Sequence, residues 1–278
     1  MDAERHKLFT EAGGPAIPEF RIGLAPIPVD KWFEGGEADP AQRKDPLIAA
    51  HPDLVWRELD SSRPAQVEVN TMVAGWLGGA VSSELPPLLA ASRLVSDDLC
   101  LMEKREAGWT LTAASLCAPS FFSAAEAVGK PLSRLHAPVP GFNDGLLGRV
   151  SRIFDHLADD QVLERRNWTV VNDAEPFQPD PAPLRARLPH QSPREIAASL
   201  HVRRERQTIR RAPHTGAVLF TIRIWTERME EVLAEPKRRA AFALAWERLL
   251  SDSGADFRRY KRLDLYDEAV RYSLTQHA

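Results

Sequence analysis

Arg203-Arg-Glu205-Arg206-Gln207-Thr-Ile-Arg210-Arg211-Ala-Pro213-His-Thr-Gly216-Ala-Val-Leu-Phe-Thr-Ile-Arg223-Ile-Trp225 reads as two strands, Arg203 to Arg211 and Ala217 to Trp225, joined by a hairpin loop. Successive side chains of a strand point to opposite faces. Arg203, Glu205, Gln207, Ile209 and Arg211 therefore share one face, and Arg204, Arg206, Thr208 and Arg210 the other. The first face mixes a carboxylate, an amide and guanidinium groups.

Working outward, Ser192-Pro193-Arg-Glu195 combines an N-cap, a first-turn proline and a third-position glutamate, so a helix begins there and feeds the hairpin. Beyond the hairpin, Pro236 opens a helix through Phe242, Trp246 and Leu250, and an amphipathic helix around Leu263 to Leu274 is suited to cover a sheet face. Leu99-Cys-Leu-Met-Glu103 and Trp109 to Cys117 form a second antiparallel pair. Ser123-Ala-Ala-Glu126 has capping-box spacing, which predicts a short helix stopping at Gly129 or Pro131 and leaves His136 on a loop. The loop's exit, Ala137-Pro138-Val139-Pro140, reads as extended and stiff.

Apolar spacing predicts mainly helix from Val67 to Leu94, and a helix from Leu146 to Arg165 through Leu147, Val150, Phe154, Leu157 and Val162. Asn167 to Val171 reads as a strand. Pro176, Pro179, Pro181 and Pro183 then enforce an irregular surface passage, and the first fifty residues, rich in Pro and Gly, read as a wrapping arm. Strands with helices laid on them give an α+β layer architecture. A single domain over 1–278 is expected, with the arm at 1–50, a core at 95–225 and C-terminal helices at 226–278.

The chain has 278 residues, 44% hydrophobic and 27% charged, which is the composition of an ordinary globular protein. Its apolar runs break well short of the roughly 20 residues needed to span a bilayer. A net charge of −3 gives no global attraction to nucleic acid or anionic membrane. The N-terminus has no charged start followed by an apolar core, so a cytoplasmic protein is expected. Cys100 and Cys117 are the only cysteines, too few for a disulfide framework or an iron–sulfur cluster. There is no phosphate-binding glycine loop, zinc helix or nucleophile elbow.

His136 stands between an apolar strand and a proline corner, a setting that suits a metal ligand, although a histidine beside prolines is, taken alone, more often structural. One histidine cannot hold iron alone, whereas haem needs one axial side chain, an apolar slot and cations for its propionates. Cys117 is the rival ligand, or a buried core thiol. Glu205 is placed to attract an ammonium group and help remove its proton, with Gln207 orienting the substrate, or else it neutralises neighbouring arginines. Arg206, Arg210 and Arg223 are candidates for propionate pairing or for a solvated face. Phe121, Phe122, Phe142 and Trp168 line such a slot or form ordinary core.

Two blocks carry a resemblance to a known family: Trp109 to Pro140, with Cys117, Pro119-Ser120, Gly129-Lys130 and His136-Ala-Pro-Val-Pro140, and Arg203 to Arg223. They resemble the haem-dependent oxidative N-demethylases. Weaker echoes are Ile22 to Pro28, Trp32, Asp97 to Leu101 and Tyr260-Lys261. The resemblance implies a PAS-like fold with haem b, a small secondary amine such as dimethylamine and O2 as substrates, and electrons from a separate flavin and iron–sulfur reductase. It also implies His136 on iron, propionates on Arg206, Arg210 and Arg223, Phe122 at the cofactor, and Glu205 with Gln207 on the distal side. A homo-oligomer is compatible with it. A gas-sensing haem protein or a haem-free scaffold are the other readings, since fold does not settle function.

Overall fold

Seven strands form one antiparallel sheet in the computed structural model, which describes residues 23–79, 84–250 and 255–277. They are β1 (Ala25–Ile27), β2 (Trp56–Glu58), β3 (Asp98–Arg105), β4 (Gly108–Ser115), β5 (Val162–Val171), β6 (His201–Arg211) and β7 (Val218–Arg228). Across the sheet the order is β1-β5-β6-β7-β3-β4-β2. Both sequence-predicted hairpins are present. In the longer one His201 pairs with Arg228 and Arg211 with Val218, and the loop closes through the Ala212 N–H on the Ala217 carbonyl at 2.8 Å. Gly216 turns the chain at φ +71°, a conformation natural to glycine. Glu68, on the helix Arg63–Leu77, accepts the N–H groups of His214 and Thr215 at 2.7 and 2.8 Å and clamps this loop.

Strand alternation sorts the apolar side chains into layers. Cys100, Leu111, Ile209, Ile222 and Ile224 face the helices Ala124–Ala127, Leu132–Leu135 and Leu147–His156. On the opposite face Leu99, Leu101 and Leu219 meet Trp32, Phe33 and the helix Arg63–Leu77. A third cluster joins Trp168, Val170 and Val202 to the C-terminal helices Pro236–Leu250 and Asp267–Gln276 through Phe242, Trp246 and Val270. Each such buried side chain contributes roughly 1.5–3 kcal/mol by leaving water.

Local signals held where they were strongest. Ser192 and Glu195 form the full capping box, at 3.3 Å for the Glu195 N–H and 2.8 Å for the Ser192 N–H, ahead of the helix Pro193–Ser199. Ser123 caps Ala124–Ala127 in the same sense.

Four expectations change. The helix expected from 146 to 165 ends at His156, and Val162 to Arg165 belong to β5, where they pair with Gln207 to Arg210 of β6. Ladder pairing outweighs the helical spacing there. The corner after His136 is folded back, because the Val139 N–H, free between two prolines, reaches the His136 carbonyl at 2.9 Å. A helix, Ala182–Arg187, interrupts the proline-rich passage. The expected arm is partly regular: β1 pairs with β5, and Asp39 caps the helix Pro40–Ala50 through the Ala41 N–H at 3.2 Å. Its first 22 residues lie outside those described.

Candidate functional site

His136 caps the end of the single turn Leu132–Leu135, its own N–H bonded to the Leu132 carbonyl at 3.0 Å. The same carbonyl lies 3.3 Å from Nδ1 of the imidazole. A carbonyl only accepts, so Nδ1 carries the proton and Nε2 keeps its lone pair. The ring is also stacked on Phe142, centroids 4.3 Å apart at 14°. Burial, and in smaller measure the positive charge of Arg165, hold the imidazole below its usual pKa and therefore neutral. Anchoring one ring nitrogen on a backbone carbonyl while leaving the other free is how proteins orient a metal-binding histidine.

Facing this layer, β5 and β6 set Arg165 opposite Gln207 and Asn167 opposite Glu205. The Gln207 amide donates to the Glu205 carboxylate. Arg165 links the two layers electrostatically, since its charge acts on His136 and is itself stabilised by Glu205. The Glu205 field also reaches Arg203, Lys261 and Tyr260. Arg203 is buried and gives hydrogen bonds to Ser120 Oγ at 3.1 Å and to the carbonyls of Ala118, Pro119 and Pro176 at 2.9–3.0 Å. Its Nη1 has no partner among the described residues. Desolvation lowers the proton affinity of Arg165, Arg203 and Lys261, and none of the three meets a carboxylate at ion-pair distance among the described residues. Glu205 is the carboxylate whose charge acts on all three, and Asp98 and Glu175 act on Arg203 as well. Phe122, Leu135, Leu147, Ile222 and Ile224 supply the apolar surround.

The three arginines expected at propionates lie on the other face. Arg206 is fully buried and spends its guanidinium on Glu164 at 2.5 Å and on the carbonyls of Lys31 and Trp32 at 2.6 and 2.9 Å. Arg210 stacks over Trp32 at 4.4 Å, and Arg223 approaches Glu37 at 3.4 Å. Alternation gave the two sets correctly, but contact with Trp32 fixes which set looks away from His136. Cys117 is fully buried, and desolvation with the Asp98 charge pushes its thiol up to about 12. It stays protonated, a poor iron ligand.

Among these arginines sits Asp97, whose burial outweighs the nearby Arg223 and Arg206 and pushes its carboxyl up to about 6. The folded value exceeds the unfolded one, near 4. Its contribution to stability is therefore present below about pH 4 and lost as pH rises through about 6. Asp97→Asn should gain in Tm on the wild type across that window. A Tm difference constant from pH 4 to 7 would refute the shift.

Sequence reading missed Arg165, hidden inside the supposed helix, and Lys261, which carried only a faint echo. Asp159-Asp160 was the available sign that the helix had ended.

A neutral, anchored imidazole thus lies on the face of the sheet that carries Arg165, Glu205 and an apolar lining. Among the described residues no three His, Cys, Asp or Glu side chains are grouped so as to hold a metal ion. The family model for the haem-dependent oxidative N-demethylase, alpha subunit-like, matches residues 77–271, and the chain belongs to that family. The matched segment contains His136, Arg165, Glu205, Gln207 and Lys261. No helix of the described residues is long and apolar enough to cross a membrane.

Proposed function

We propose that this chain is the haem-binding subunit of an oxidative N-demethylase, a cytoplasmic protein of PAS-like fold acting on a small secondary amine of the dimethylamine type. The observation carrying it is the Nδ1-anchored His136 within the field of Arg165, which has no carboxylate at ion-pair distance among the described residues. His136 Nε2 would hold the iron of haem b, Arg165 and the unpartnered Nη1 of Arg203 would hold the propionates, and Phe122 would belong to the apolar lining. Bound haem supplies activation of O2, so that the N-methyl carbon leaves as formaldehyde, one oxygen becomes water, and two electrons come from a separate flavin and iron–sulfur reductase. Within the protein, Glu205 attracts the substrate ammonium and accepts its proton, giving the free amine. Gln207 fixes the carboxylate by donating to it. Ile222 and Ile224 keep water from the reacting carbon. The unit comprises 1–278 as one domain, and neither nucleic acid nor membrane is a partner.

The test supplies haem-loaded protein with dimethylamine, O2 and an artificial reductant and measures formaldehyde. Glu205→Gln should lower its release by about 100-fold or more while the haem spectrum is kept. Gas binding with no formaldehyde from the wild type would favour a sensor.

A further inference from the structure

On the Glu205 face of the sheet, two residues along β5 from Asn167 and so roughly 7 Å away, lies a narrow pocket. Phe121, Thr169, Arg185, Lys261, Arg262 and Tyr266 line it. No acidic residue does, and the free space of about 10 Å³ admits the tip of a ligand rather than a whole one. Arg262 is turned toward Asp264 at 3.7 Å, and the Tyr266 hydroxyl is bonded to Asn172 at 3.1 Å. Arg185 and Lys261 have no carboxylate at ion-pair distance among the described residues. They lie instead against rings: Arg185 is 5.8 Å from Phe121, and Lys261 is 5.5 Å from Tyr260. Phe121 and Arg262, both in the lining, have φ of +68° and +53°, which non-glycine residues rarely adopt. Lys261 belongs both to this pocket and to the group that feels Glu205. A cationic recess thus adjoins a carboxylate.

We infer that the amine oxidised here carries an acid group, held by Lys261 and Arg185 in the pocket while Glu205 holds its ammonium end. The substrate is then an N-methylated amino acid, N-methylglycine being the smallest. This rests on the demethylase reading, with Arg165 and Arg203 left to the cofactor. A zwitterion matches the site in both signs, and dimethylamine only in one.

Binding of N-methylglycine, dimethylamine and acetate to the haem-loaded protein is measured by calorimetric titration, alongside KM for formaldehyde release. N-methylglycine should bind at least tenfold more tightly than dimethylamine. Lys261→Met and, separately, Arg185→Met should collapse that preference to near unity, and Lys261→Arg should restore it, with haem absorbance per protein constant throughout. Equal affinity for the two amines overturns the inference. Selective loss of haem from Lys261→Met also overturns it, since the lysine would then be a propionate partner. If N-methylglycine binds through Lys261 but neither amine yields formaldehyde, the demethylase reading falls and the acid subsite stands.

Discussion

His136→Ala is expected to abolish the Soret band of the purified protein and, with it, all formaldehyde release. The imidazole is neutral, oriented through Nδ1 and left with a free Nε2. Ring stacking on Phe142 restricts its remaining motion, so the imidazole is held in place in advance, as the proposed role requires. Alanine would remove the proposed iron ligand but leave the apolar lining and cations, and imidazole added in solution should therefore recover part of the absorbance. Spectra of the oxidised, reduced and CO-bound forms decide the matter. An unaltered axial spectrum in the variant would eliminate His136 as ligand and, because Cys117 is held as a thiol, direct attention to another histidine.

Arg206→Leu should cost the fold about 3–5 kcal/mol, the usual penalty for deleting one partner of a buried ion pair. At about 2–4 °C per kcal/mol for a chain of this size, Tm falls by about 10 °C. The guanidinium is fully buried and joins Glu164, the more distant Glu34 at 3.4 Å, and two carbonyls of the segment around Trp32. Without it, Glu164 and Glu34 share only Arg166 among the described residues. Haem bound per folded molecule should be unchanged. The reverse pattern, haem lost with Tm preserved, would return Arg206 to the propionates, where sequence reading had put it.

Arg206 also shows what sequence can and cannot convey here. Odd and even positions of β6 were separable because a strand has a period of two, and the loop at Pro213 to Gly216 was separable because turn chemistry is local. Which parity meets His136 depends on Trp32, which is 174 residues away in sequence and tied to Arg206 by one hydrogen bond. The caps at Ser123 and Ser192 were legible within four residues. Arg165 was not, since Leu147 to Val162 satisfies a helical repeat and only the open edge of β6 draws the later part into a ladder. The rigid corner after His136 was right in its stiffness and wrong in its shape. Proline fixes φ, but the hydrogen bond from Val139 chooses the turn.

Both outermost strands of the sheet, β1 and β2, come from before residue 77, outside the segment that the family model matches. They are three residues each, and β1 carries Pro26 next to Pro28. Such rims are poor templates for another chain. A truncation starting at residue 77 would instead strip the edge partner from Val162 to Glu164 of β5 and from Ala113 to Ser115 of β4. These unblunted borders invite self-association into aggregates. The leading segment thus serves as hemming for the sheet, and keeping it is the condition for handling the family-matched part at high concentration.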